Sequence, residues 1–282
     1  MIDEAQDLNP VLLDVLDRLL TPLVFVGDPY QQIYEWRGAV NAMDRLRSRH
    51  RALLSQSFRF GPEIAAAATI VLKTLGAREP LLGSSNVKSD IGRVIPDAIL
   101  ARSNVGVITN VLKCLHNNVR CTVLGGTLDL QRLLGDVQRI KRNVPAQMPE
   151  LLGFTTWKDV MSGSLQPEGE HLRALVNVVQ EHGETRIIDA LARCETDESS
   201  AQVVCSTAHK AKGREWNYVH LDSDFETRFH HASKGRVPSY YDAEARLLYV
   251  AMTRAKRAVH LPRELAKRFG IRKTTEEILA NG

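Results

Sequence analysis

Residues 94–140 read VIPDAILARSNVGVITNVLKCLHNNVRCTVLGGTLDLQRLLGDVQRI, and the rhythm of this stretch decides the fold class. Val94 to Leu100 is an apolar run that predicts a strand, and Val105 to Leu115 repeats apolar residues at helical spacing. Val119 to Leu124 predicts a second strand, and Leu128 to Ile140 a second helix. Strands alternating with helices of this length build βαβ units, whose strands run parallel. The chain is therefore expected to be α/β with a parallel sheet.

Upstream, Asn9-Pro10 caps a helix through about Leu20, with Val11, Leu12, Val15, Leu16, Leu19 and Leu20 at helical spacing. Leu23 to Val26 predicts a short buried strand running into Gly27-Asp28, the kind of strand end where open α/β sheets place ligand chemistry. Pro62 and Glu63 open an Ala-rich helix to about Leu75, and Gly76 to Asp90 reads as a crossover between two lobes. Downstream, Pro145 to about Ser200 is helical and polar, with no strand of comparable strength, and looks inserted. The sheet pattern resumes with Val203 to Ser206 and Trp216 to Leu221; a helix from about Ala243 to Arg254 and a strand from Ala258 to Leu261 complete it.

The bulk numbers set limits. The chain has 282 residues, enough for one large domain or two ordinary ones, with 44% hydrophobic and 25% charged residues. No apolar run approaches the ~20 residues of a membrane span, and the acids after Met1 and Ile2 are wrong for a secretory signal. Cys114, Cys121, Cys194 and Cys205 contain no CxxC pair, so their spacing indicates neither zinc nor a disulfide framework. A cytoplasmic, reducing location is expected, nucleoid-associated in a prokaryote. The net charge of +4 permits a polyanionic partner without requiring one.

Two segments concentrate chemistry. Asp3-Glu4-Ala5-Gln6-Asp7 offers adjacent carboxylates, one to hold Mg²⁺ and one to activate water; alone, such a pair is more often a solvated helix start. Residues 27–39, GDPYQQIYEWRGA, pack aromatics, amides and an arginine into one loop. Gln31 is suited to sensing a terminal phosphate, and Tyr34 and Trp36 to stacking on unpaired bases, against the plainer reading of aromatics that plug a core.

With both segments in this order, the chain resembles superfamily 1 helicases of the UvrD/Rep type, and among them the F-box-helicase-like branch. DEAQD at 3–7 resembles the Walker B motif, and GDPYQQIYEWRGA the motif that couples nucleotide to DNA. Leu54 to Arg59 (LSQSFR) resembles LxQNYR, and Ala98 to Asn104 (AILARSN) the opening of the second motor domain. Ser206 to Trp216 (STAHKAKGREW) is similar to TxHxxKGxE, and Leu248 to Ala255 (LYVAMTRA) to YVAxTRA.

The resemblance implies RecA-like, parallel-sheet motor lobes of the P-loop NTPase type, the first incomplete and the second with a helical insert. It divides the chain into 1–80 as the remnant of the first motor domain, 81–144 with 201–282 as the second, and 145–200 as a reduced insert. It implies an ATP-dependent DNA helicase or translocase of 3′-to-5′ polarity acting on single-stranded DNA and single-strand/double-strand junctions. Asp3 would hold Mg²⁺ through ATP, Glu4 would be the general base, and Gln31 would contact the γ-phosphate. Arg59 and Arg254 would act as arginine fingers. Phe58 would stack on adenine in place of the usual tyrosine, and Gly213 and Glu215 would meet the nucleotide. Tyr34, Trp36, Thr207 and His209 would line the DNA track, and Arg37 would pair with the Walker B acids.

Locally, Arg254 reads either as a functional fork or as a snorkelling helix end. His209, Lys210, Lys212 and Arg214 read either as a phosphate-neutralising loop or as a solvated basic turn. Asp222, Asp224, Glu226, His230 and His231 match no standard metal spacing. None of the 282 residues forms the GxxxxGK[ST] phosphate loop that the family carries upstream of Walker B. The expectation is a chain that begins partway through the first motor domain and has little ATPase of its own. A non-catalytic nucleic-acid-binding module is the alternative; a helicase–nuclease is disfavoured by the short tail after YVAMTRA.

Overall fold

The structure, a computed structural model, describes residues 1–19, 21–35, 38–45, 50–166, 169–226, 229 and 238–272. The chain divides into two compact units, Met1–Ile95 with Ala211–Gly282, and Pro96–Lys210. Six strands are described: β1 (Asp90–Ile91), β2 (Ala98–Ala101), β3 (Cys121–Val123), β4 (Val203–Thr207), β5 (Trp216–Leu221) and β6 (Ala255–His260). In the first unit β6 lies between β1 and β5; in the second β4 lies between β2 and β3, and all four of these pairings are parallel. The α/β, parallel-sheet expectation is met.

In the second unit the elements follow the sequence closely. Ser103 caps the helix Asn104–His116 by accepting from the Gly106 N–H at 3.0 Å. The helix Leu128–Lys141 buries Leu130, Leu133, Leu134, Val137 and Ile140 along one stripe. The polar helical stretch comprises Trp157–Ser164, Glu170–His182 and Glu184–Ala192. Its buried Val160, Leu172, Val176, Val179, Ile187 and Leu191 join the same core as β3 and β4. The first strand is shorter than expected, starting at Ala98 rather than Val94. Pro96 has no N–H for a ladder, and Ile95 is 93% exposed.

The first unit departs more from expectation. The capped helix runs Pro10–Asp17 and buries only Leu13 and Leu16, leaving Val11 74% exposed. Leu23 to Val26 is not a buried strand. It makes a single parallel bridge, Phe25 to Ile2, and Val24 is exposed. The Ala-rich helix spans Pro62–Thr74, and the last helix before β6 spans Pro238–Met252. Among the described residues, no helix is long and apolar enough to cross a membrane.

Candidate functional site

The site is assembled in the first unit from stretches far apart in the chain. The Ile2 N–H donates to Val24 O and the Val26 N–H to Ile2 O, both at 2.8 Å, laying the acidic segment beside the Gly27-Asp28 turn. Gly27 is required there: a Cβ would come within 2.4 Å of Gln6 Oε1 and 3.0 Å of the Ala5 N. Buried Gln6 closes the junction, accepting from the Asp28 N–H at 3.1 Å and donating to Glu4 Oε2 at 2.6 Å. The first two motifs of the sequence are thus one structural piece.

Glu4 sits in the left-handed region at φ 51°, ψ 39°, a conformation costing a side-chain-bearing residue on the order of 1 kcal/mol. Its N–H donates to Asp3 Oδ1 at 2.9 Å, and both acids stay exposed. Asp7 is more enclosed. Burial raises its pKa, opposed by the Lys212 ammonium that bonds it.

Lys212 is the residue the sequence misassigned. Its side chain is only 9% exposed and its ammonium meets Asp7 Oδ2, Glu4 Oε2 at 3.0 Å and Gln31 O at 3.1 Å, 5.6 Å from the Tyr34 ring centroid. It is neither a solvated turn residue nor open to a phosphate. Gly213 at φ +83° makes the turn that follows. A lysine in a Lys/Gly-rich loop looks solvated from its neighbours, so no local signal betrays this pairing.

The two arginines meet the same centre. Arg59 Nε donates to Glu215 Oε2 at 2.7 Å and its Nη1 to Thr253 O at 3.1 Å. With Lys256 also near, Glu215 is held below the usual glutamate range, chiefly by Arg59. Arg254 is 2% exposed and donates to Val250 O at 2.9 Å, Thr253 Oγ1 at 3.2 Å, Arg214 O at 3.4 Å and Gln31 Oε1 at 3.5 Å. Among the described residues these partners are all neutral oxygens. Burial, then the repulsion of Arg59, brings its pKa down to about 10. It is a structural centre, not a snorkelling end. Gln31 also donates to Asp28 Oδ2 at 2.9 Å, and the buried Tyr249 hydroxyl donates to that oxygen at 2.8 Å. Burial and the Asp28 charge push the Tyr249 phenol up. Tyr249 was not singled out beforehand, although it lies within the quoted LYVAMTRA.

Asp3, Glu4, Gln31, Arg59, Glu215 and Arg254 thus belong to one unit, with Gln31 touching Arg254 and Glu4 acting on it electrostatically. Phe58 is 77% exposed beside Arg59, its ring face open. Thr207 and His209 belong to the other unit, where Thr207 Oγ1 accepts from the Lys210 N–H at 3.3 Å and Lys210 pairs with Asp129 at 3.0 Å. Trp36, Arg37, His230 and His231 lie outside the described residues.

The first unit of this parallel α/β protein thus gathers exposed carboxylates and two guanidiniums, side-chain types suited to a hard cation and to an anion. Residues 143–262 match the UvrD-like helicase C-terminal domain, and residues 1–48 the UvrD/REP helicase N-terminal domain. The chain is 30% identical, over 94% of its residues, to F-box DNA helicase 1 of Gallus gallus, covering 29% of that protein. It is 28% identical, over 96% of its residues, to F-box DNA helicase protein 1 of Schizosaccharomyces pombe, covering 34%. Over 41% of its residues it is 31% identical to a probable DNA helicase II homolog of Mycoplasma pneumoniae, covering 18%. The chain spans about a third of the length of the two F-box relatives. It belongs to the UvrD-like helicase family.

Proposed function

We propose that this chain is the motor portion of an ATP-dependent DNA helicase or translocase, working 3′ to 5′ on single-stranded DNA. The observation that carries the reading is Arg254: a buried guanidinium whose described partners are neutral, with Arg59 acting on it from nearby. Only Arg254 is desolvated, Arg59 being part-exposed and paired with Glu215, and a buried guanidinium with neutral partners gains from a further anion such as a triphosphate.

The residues fit a nucleotide with Mg²⁺. Exposed Asp3 supplies a hard oxygen for the metal, and Glu4, held in place by Gln6, is the base for water. Gln31 reads the terminal phosphate, Arg59 and Arg254 neutralise its oxygens, and Glu215 orients Arg59 until nucleotide arrives. Phe58 offers its face to the base, and Gly213 leaves room for the backbone to approach. Bound Mg²⁺ would supply charge neutralisation across the phosphates. By the family resemblance Tyr34 and Trp36 would each stack on unpaired bases, Thr207 and His209 would each contact single-stranded DNA, and Arg37 would pair with the acids. The division into 1–80, 81–144 with 201–282, and 145–200 belongs to the same reading.

Fluorescent-nucleotide titration tests it. Residues 1–282 are expected to bind ATP with Mg²⁺ weakly and to turn it over little, because they contain no GxxxxGK[ST] loop. Arg254→Ala should weaken binding by roughly 100-fold, the scale of losing two charge-assisted hydrogen bonds. Equal binding by both proteins would remove Arg254 from the site, and robust turnover abolished by Glu4→Gln would overturn the expectation of low activity. Binding without turnover at any DNA concentration would favour a non-catalytic module. Trp36→Ala should weaken single-strand affinity by about 1–3 kcal/mol in fluorescence anisotropy; unchanged affinity takes it off the track.

A further inference from the structure

All four cysteines of the chain lie in the second unit, and the fold brings three of them to one place. The Sγ atoms of Cys114, Cys121 and Cys205 lie within 4.8 Å of one another, and all three residues are buried. Half-buried Cys194 lies outside that 4.8 Å group, on the segment whose Glu195 bridges Thr122 beside Cys121.

The backbone holds this gathering without help from the thiols. Cys121 opens β3, and the register pairs Val123 with Cys205, so Cys121 and Cys205 share a sheet face. Cys114 comes from the last turn of Asn104–His116, where its carbonyl accepts from the Val119 N–H at 2.8 Å. The chain after Glu184–Ala192 runs beside β3, with the Glu195 N–H donating to Cys121 O at 2.9 Å and Thr122 Oγ1 donating to Glu195 O at 2.7 Å. That pairing carries Cys194 to Cys121.

We propose that Cys114, Cys121, Cys194 and Cys205 form a mononuclear tetrathiolate site for Zn²⁺ in the core of the second unit. Tetrahedral zinc with arms of about 2.3 Å sets sulfurs about 3.8 Å apart, so the three buried thiols need close by at most an ångström, and Cys194 must turn in from outside that group as the fourth ligand. A multi-iron cluster would hold its cysteines farther apart. Binding exchanges four S–H bonds for four Zn–S bonds and releases four protons, with no change of oxidation state. Packing alone gives no reason for three of the chain's four cysteines to meet, since alanine or valine fills such volumes equally well. This inference does not depend on the nucleotide reading.

The test is elemental analysis of the 282-residue chain purified without chelator, followed by Co²⁺ exchange. About one zinc per chain is expected, and the cobalt form should show the thiolate charge-transfer and visible bands of a tetrahedral sulfur site. Cys194→Ser should weaken metal affinity at least tenfold and shift the cobalt spectrum, and Cys205→Ala should abolish both. Should a variant fail to fold, the unmodified chain still decides. A folded protein without zinc, taking up no cobalt and releasing four free thiols on denaturation, overturns the proposal. So does a disulfide, or the absorbance of an iron–sulfur cluster.

Discussion

The Arg254 centre and the cysteine cluster are both convergent sites, yet they arise in opposite ways. The first is built from contiguous strings (DEAQD, GDPYQQIYEWRGA, LYVAMTRA) whose internal spacing already announces chemistry. The second comes from four single residues separated by 6, 72 and 10 others, and no spacing rule connects them. Polar groups at the first are held by one another, through Gln6, Lys212 and Glu215. The thiols at the second are held by sheet register. A local pattern is legible where function needs several side chains on one loop, and invisible where strands and helices do the gathering.

Three measurements sharpen or break that contrast. The largest effect is expected at the cysteines: free zinc at roughly 1,000 times its dissociation constant should add about 4 kcal/mol to unfolding stability, and chelation should remove it. Thermal unfolding indifferent to chelator would return the cluster to ordinary core packing. Next comes Lys212→Ala, which leaves Asp7 half-enclosed and Glu4 unpaired, at a cost on the order of 2 kcal/mol by urea denaturation. The loss should shrink on acidification. The folded pKa of Asp7 is raised, so the folded state takes up a proton as pH falls toward 3.8, while the unfolded carboxylate is still ionised. A deficit constant with pH would deny Asp7 that role. The smallest effect is at Glu215, whose folded pKa is lowered. Its pairing with Arg59 is fully present above 4.5 and fades as pH falls through the folded value. Because the pair is partly exposed, Glu215→Gln should cost under about 1 kcal/mol at neutral pH and nothing at the acid end.

Legibility also varied within each region. The helices Asn104–His116 and Leu128–Lys141 could be read because a 3.6-residue period needs only local apolar spacing. Leu23 to Val26 misled because four apolar residues look like a buried strand whatever lies beside them, and only the single bridge to Ile2 and the exposure of Val24 show otherwise. The two local readings of Arg254 could not be separated without its burial and neutral partners.

By itself the sequence determined the α/β alternation, the order of the motifs and the residue types offered to a phosphate, because periodicity and short-range spacing are properties of neighbours along the chain. Only the tertiary structure decided that Lys212 belongs to the acids, that Arg254 is buried, and that three unremarkable cysteines meet. Those facts depend on which distant segments share a face or a ladder, and that is settled by packing and register.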